Sequence, residues 1–261
     1  MSDERSGWLS EDDVRAIVRL LGDTLSHTGN DLDRKRFLLT GLARLVEADV
    51  WVWIAQKGGP NASDITYFTM IDGGWTSERQ RGIATGATWS EEAQPFNQLV
   101  KRERTYVFTR TDAYDDEAWY GTDLFKRFRE PAGLDDVLGT GVRIREDIVS
   151  SIGLHRNLGR PRFSERDRRV AEVVTTEVEW LHRVGIPDID ATPVDNLTPR
   201  LRHVMLLLLS GSSRKQIASE LAISTHTTNE YVADVYDRLG VRSRAELMSR
   251  FIQGKTSRAS R

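Results

Sequence analysis

Five basic side chains, Arg214, Lys215, Arg238, Arg242 and Arg244, lie close together near the C-terminus of this 261-residue chain. From Asn196 to Arg261 there are 11 Lys+Arg and 5 Asp+Glu, a net charge of +6. Met1–Asp195 carries 26 and 34, a net of −8, and the two parts sum to −2. Guanidinium and ammonium groups at that density suit phosphate oxygens. An acidic body joined to a basic tail is the charge pattern of a chain whose C-terminal part meets nucleic acid. A second set of residues is aromatic. Trp51 and Trp53 alternate and so share one face of a strand. With Trp75 and Trp89 they are the candidates for lining an apolar small-molecule pocket, the other reading being core packing.

Other chemistries find no support. The chain has no cysteine, which excludes a thiolate metal site, a disulfide framework and a Cys nucleophile. His27, His155, His182, His203 and His226 are scattered without metal-ligand spacing. Gly139-Thr140-Gly141 lacks the continuation of a phosphate loop, and no serine sits in a nucleophile elbow. The expectation is a protein that is not an enzyme and holds no cofactor or metal. The longest apolar run, Val204–Leu209, is far too short to span a bilayer, and Met1–Ser10 is polar and acidic, unlike a secretory leader. A cytoplasmic protein without membrane contact is expected.

The elements that must position these residues fall into two groups. A helix is predicted over Ser10–Leu25 and a second over Asp33–Glu47, each with apolar residues on one face. Asp49–Gln56 and Asp64–Ile71 read as paired strands around the turn-forming Lys57–Ser63. Short helices are predicted at Ser77–Ile83, Glu91–Arg102 and Thr122–Arg129, with a strand at Thr105–Thr109. Val137–Arg145 and Val149–Arg156 read as a hairpin, and Ser164 caps one long helix over Glu165–Val184. This order predicts an α+β domain, an antiparallel sheet with flanking helices on one face. Gly185–Asp195 has linker composition, and residues 255–261 that of a disordered tail.

Four helices are predicted beyond the linker: Arg200–Leu209, Arg214–Leu221, Thr225–Leu239 and Arg244–Ile252, punctuated by Gly211, Ser224, Gly240 and Ser243. The middle two, joined by Ala222-Ile223-Ser224, have the form of a helix-turn-helix, whose second helix enters the major groove. Ala218 must be small where the helices cross, and Ile217, Leu221, Ile223, Val232 and Val235 must hold their angle.

Leu197-Thr198, Arg200, Gly211, Ile217-Ala218, Leu221, Ile223-Ser224, Thr227, Leu239-Gly240-Val241 and Arg244 fall in one fixed register. In that register the segment resembles the LuxR/GerE-type helix-turn-helix of bacterial transcription factors. The resemblance implies that Asn229, Glu230 and Ala233 face the groove, with His226 and Thr227 in the first turn of the same helix. Chemically, Asn229 suits adenine N6/N7 and Glu230 suits cytosine N4. Lys215, Arg242 and Arg244 are the expected phosphate contacts, beside Arg214 and Arg238; Arg244 has the alternative of capping or pairing within the domain.

The chain departs from the family at Leu201, where Glu is usual. It departs again at Thr228, Asn229, Tyr231 and Asp237, where Val, Lys, His and a basic or polar residue are favoured. Glu230, Asp234 and Asp237 make the second helix acidic, so modest DNA affinity and a need for dimerisation are expected.

The order of elements over Asp31–Gly185, and the run from Ser151 to Val174, resemble a GAF/PAS-like sensor domain. The domain plan is then an N-terminal helix (1–30), a sensor or dimerisation domain (31–187), a linker (188–195), the helix-turn-helix (196–254) and the tail (255–261). The function this implies is a homodimeric, sequence-specific regulator of transcription that binds double-stranded DNA and senses a small ligand or dimerises through its N-terminal domain. The alternative is a protein-interaction module whose acidic second helix has lost operator binding. Dimer contacts are expected from the last helix, through Leu247, Phe251 and Ile252, and from the long helix at Glu165–Val184.

Overall fold

The computed structural model describes residues 9–57, 66–86, 96, 99, 104–146, 148–184, 186, 197–209 and 211–252. Its N-terminal part is built on a five-stranded antiparallel sheet of order β2-β1-β5-β4-β3, with β1 Val50–Lys57, β2 Thr66–Gly73, β3 Thr105–Thr109, β4 Leu134–Arg145 and β5 Ile148–Asn157. Helices α1 (Glu11–Ser26) and α2 (Asp31–Leu45) start at capping boxes, Ser10 with Asp13 and Asn30 with Asp33. α2 lies on the sheet, and α1 packs outside it. Trp51, Trp53, Ile71, Leu138, Ile152 and Leu154 form the buried face of the sheet under these helices.

The opposite face is covered too, which differs from the expected one-sided arrangement. There Val50 packs with Ala84 of α3 (Glu78–Gly86), and Tyr106 and Phe108 pack with Phe96 and Leu99. Gly139 makes room for this: a Cβ at that position would lie 2.2 Å from the Phe108 ring. An unpredicted helix, α4, occupies Asp116–Gly121. The helix expected over Thr122–Arg129 is present, but it takes π-helical form at Phe125–Arg129.

The helix expected over Glu165–Val184 is broken. α5 runs from Glu165 to Thr176 and α6 from Glu179 to Arg183, separated at Val178, whose φ of −102° and ψ of 79° are not helical. The hydroxyls of Thr175 and Thr176 bond back to the carbonyls of Ala171 and Glu172 at 2.7 and 2.8 Å, a habit that weakens helices. The break turns His182 inward: its Nε2 meets the Thr175 carbonyl at 2.5 Å and its Nδ1 the Ser150 hydroxyl at 2.8 Å. Because a carbonyl only accepts, Nε2 carries the proton and Nδ1 accepts from Ser150. Ser150 in turn accepts from Trp53 Nε1 at 2.8 Å.

The C-terminal part is helical: α7 Pro199–Leu209, α8 Arg214–Glu220, α9 Thr225–Leu239 and α10 Arg244–Ile252. Every side chain from Val204 to Leu209 is buried, as is Leu201. A helix apolar on all sides must be covered on all sides. α7 meets α9 and α10 on one side and β2 of the sheet on the other, so a single apolar core runs through it. The predicted linker 188–195, the helix 91–102 except Phe96 and Leu99, Trp89 and the tail 255–261 lie outside the described residues. Among the described residues no helix is long and apolar enough to cross a membrane.

Candidate nucleic-acid interface

The turn between α8 and α9 is fixed at both ends. Ser213 caps α8, its hydroxyl accepting from Gln216 N, and Ser224 caps α9, its hydroxyl accepting from Thr227 N. Between them Ala222 takes a left-handed φ of 52°, and the backbone N–H of Ile223 returns to the Ala218 carbonyl at 3.0 Å. Ile217, Ala218, Leu221, Val232 and Val235 are buried, which sets the angle between the two helices. Gly240, at a φ of 62°, stops α9 as a left-handed cap.

These constraints leave one face of α9 in solvent. His226, Asn229, Glu230 and Ala233 are exposed and Thr227 is half-exposed, its hydroxyl beside that of Ser224 at 2.9 Å. The acidic character of the helix is partly answered within the helix itself. Arg238 Nε donates to Asp234 at 2.7 Å, and His226 Nε2 lies 3.5 Å from Glu230. Arg214 Nη1 donates to Asn229 Oδ1 at 3.1 Å. Lys215 and Arg242 are exposed.

Residues 195–251 match the family of bacterial regulatory proteins described as the luxR family. The C-terminal region is a LuxR-family helix-turn-helix domain. Over a longer stretch the chain is similar to the monoamine regulon transcriptional regulator of Klebsiella aerogenes, 29% identical over 170 residues, 64% of this chain and 72% of that protein. It is similar to the probable HTH-type transcriptional regulator GfsR of Streptomyces halstedii, 36% identical over 63 residues, 24% of this chain and 26% of the other. Among solved structures, SdiA of Escherichia coli superposes with a TM-score of 0.45 at 11% identity, over 90% of this chain and 94% of that one. The LBD domain of VqsR from Pseudomonas aeruginosa does so with 0.44 at 15% identity, over 67% and 96%.

Within the LuxR-type domain two departures from the family pattern now have physical reasons. Leu201 is buried, as one side of the doubly covered α7. Thr228 is also buried, and its hydroxyl is satisfied by the Ser224 carbonyl at 3.0 Å. Of the basic residues, Arg244 takes its alternative: Nη2 donates to the Leu208 carbonyl at 2.6 Å and Nη1 to that of Ser212 at 3.3 Å, tying α10 to the end of α7. Arg200 likewise donates to the Leu221 carbonyl at 2.8 Å and so satisfies the end of α8.

How the LuxR-type domain sits on the sheet is not legible in the sequence. Glu220, at the end of α8, lies 3.9 Å from Arg81 of α3 with its side chain only 9% exposed, and Arg81 Nε donates to Asp72 of β2 at 2.9 Å. His203 Nε2 lies 3.6 Å from Glu220 and the Thr85 hydroxyl 3.4 Å. Burial pushes the Asp72 carboxyl up against the opposing pull of Arg81. Beside this bridge lies a cleft of about 500 Å³, walled by Gly82, Ile83 and Phe128 on one side and by Gln216 and Ser219 on the other. A lone glutamate at a helix end reads as a solvated charge, so nothing in the sequence marks it. The one legible signal was the unbroken apolar run of α7.

Trp51, Trp53 and Trp75 do not meet at one site. Trp51 and Trp53 are buried under the helices, with Lys35 Nζ 3.2 Å above the Trp53 ring. Trp75 packs on the opposite side of the sheet, with Val50 and Ala84. Among the described residues no group of three or more His, Cys, Asp or Glu is placed to hold a metal ion.

Proposed function

We propose that the chain is a sequence-specific, DNA-binding regulator of transcription that works as a homodimer in the bacterial cytoplasm. Its α+β domain, residues 31–187, senses a small ligand or mediates dimerisation, and residues 196–254 bind DNA. The observation that carries the reading is the exposed face of α9, capped at both ends and held by a buried core in a LuxR-family domain. The K. aerogenes relative, a transcriptional regulator matched over 72% of its length, supports the same reading. Asn229, Glu230 and Ala233 face the bases, with His226 and Thr227 at the entry of the helix. Lys215, Arg242 and Arg214 approach the phosphates; Arg238 and Arg244 contribute charge while serving their internal partners.

The reading is tested by gel shift of the full chain on genomic fragments at controlled salt. Lys215→Ala should weaken all duplexes alike and reduce the salt slope by about one, whereas Asn229→Ala should weaken the preferred fragment by about 1–3 kcal/mol and random DNA hardly at all. Equal losses on both kinds of DNA from Asn229→Ala would defeat this division of labour. A chain that retains no fragment at low salt, yet captures a protein partner through α9, would establish the interaction-module alternative.

A further inference from the structure

The hydrogen bond between α8 and α9 limits what Asn229 can say to a base. Arg214 Nη1 and Asn229 Oδ1 are 3.1 Å apart, and both residues are exposed on the same side of the domain. A guanidinium has five N–H donors and no acceptor. Whichever way the amide is turned, therefore, only its oxygen can meet Arg214, so the orientation of Asn229 follows from chemistry. Oδ1 is held toward α8 and the Nδ2 amino group is left to face outward.

An unrestrained asparagine reads adenine with both ends of its amide, accepting from N6–H2 and donating to N7. Here a second donor at Oδ1 would enter beside a positive guanidinium, and an exocyclic amino group gains nothing from that neighbour. A guanine edge presents acceptors alone, O6 and N7. It gains from the Nδ2 donor and also from the N–H groups that Arg214 has to spare. We propose that Arg214 and Asn229 form one donor-only reading unit, which selects guanine over adenine at the base that Asn229 faces. The proposal rests on the groove-facing placement of α9 in the proposed function, and it replaces both the adenine pairing expected of Asn229 alone and the phosphate contact given to Arg214.

The test uses the full chain on a duplex enriched from a random library by the chain itself. Each base pair is then varied in turn, and affinities are read by fluorescence anisotropy at one salt concentration. The position that Asn229 reads is the one where discrimination collapses in Asn229→Ala. There the unaltered chain should favour guanine over adenine by about ten-fold. Arg214→Ala frees Oδ1 and should abolish or reverse that ratio. Arg214→Lys keeps the positive charge, so it should hold more of the total affinity than Arg214→Ala while losing part of the guanine preference. Preference for adenine by the unaltered chain, or an equal loss on all four bases in Arg214→Ala, would overturn the proposal. Discrimination unchanged everywhere in Asn229→Ala would overturn it too, and would trace the failure to the groove-facing placement rather than to Arg214.

Discussion

Arg156 shows how one side chain can hold several elements at once. Its guanidinium donates to the carbonyls of Val46, Glu47, Pro161 and Arg162 and to Asp167, at 2.7 to 3.2 Å, and it is almost fully buried. Arg156→Ala takes this donor from the Val46, Pro161 and Arg162 carbonyls and breaks a buried ion pair, leaving Asp167 to Ser164 and Arg166. It should cost about 3–5 kcal/mol in a urea titration; a loss below about 1 kcal/mol would show that water replaces the guanidinium freely. His182 makes a second case. Burial holds its pKa at about 4, against an ordinary 6.5. Between those values the unfolded chain takes up a proton that the native chain refuses. Stability is therefore complete above about pH 6.5 and is lost as pH falls toward 4, at up to about 1.4 kcal/mol per pH unit for the group. His155, pushed well below its usual range by burial and by Arg129, adds a loss of the same sign. Urea midpoints at about pH 7.5 and about pH 5 should differ accordingly, and His182→Gln should shrink the difference. A midpoint that does not change with pH would mean that neither imidazole is held neutral. None of these roles was legible beforehand, because an arginine or histidine on an amphipathic pattern reads as surface until its partners are known.

At the scale of elements, the sequence was clearest where local chemistry decides the outcome. The four C-terminal helices lie within a residue of their expected bounds, because caps such as Ser213 and Ser224 and the stop at Gly240 act through near neighbours. Ser224→Ala removes the acceptor for Thr227 N, at 3.0 Å, and should destabilise the LuxR-type domain by about 1 kcal/mol in thermal unfolding. No shift in midpoint would mean that Ser224 does not cap α9. The break between α5 and α6 was illegible for the opposite reason. Apolar periodicity continues across it, and the gain that favours the break comes from Ser150 and Trp53, distant in sequence. The fold class was readable from the order of helices and hairpins. The second covering of the sheet was not, since α3 and the π-helical turn have weak periodicity.

For the whole molecule, the distinctive feature is that the LuxR-type domain shares its core with the sheet through α7. The acidic body and basic tail read from composition remain, but they are joined by apolar packing and by the Asp72–Arg81–Glu220 bridge rather than by a linker alone. Arg81→Ala removes the cation between two carboxylates that are each about nine-tenths buried, leaving Glu220 to His203 and Thr85, and should cost about 3–5 kcal/mol. Glu220→Gln keeps most of the packing and removes only the longer contact, so it should cost distinctly less. Equal effects of the two substitutions in full-chain denaturation would contradict that order.

In the proposed function the exposed face of α9 reads a two-fold DNA site. The most direct measurement is selection of duplexes from a random library by the full chain, with the Asn229→Ala chain selected in parallel. The unaltered chain should enrich an inverted repeat with half-sites one helical turn, ~34 Å, apart, and the variant should lose a specified base in each half-site. A library that emerges unenriched at low salt, or the same site enriched equally by both chains, would contradict that reading.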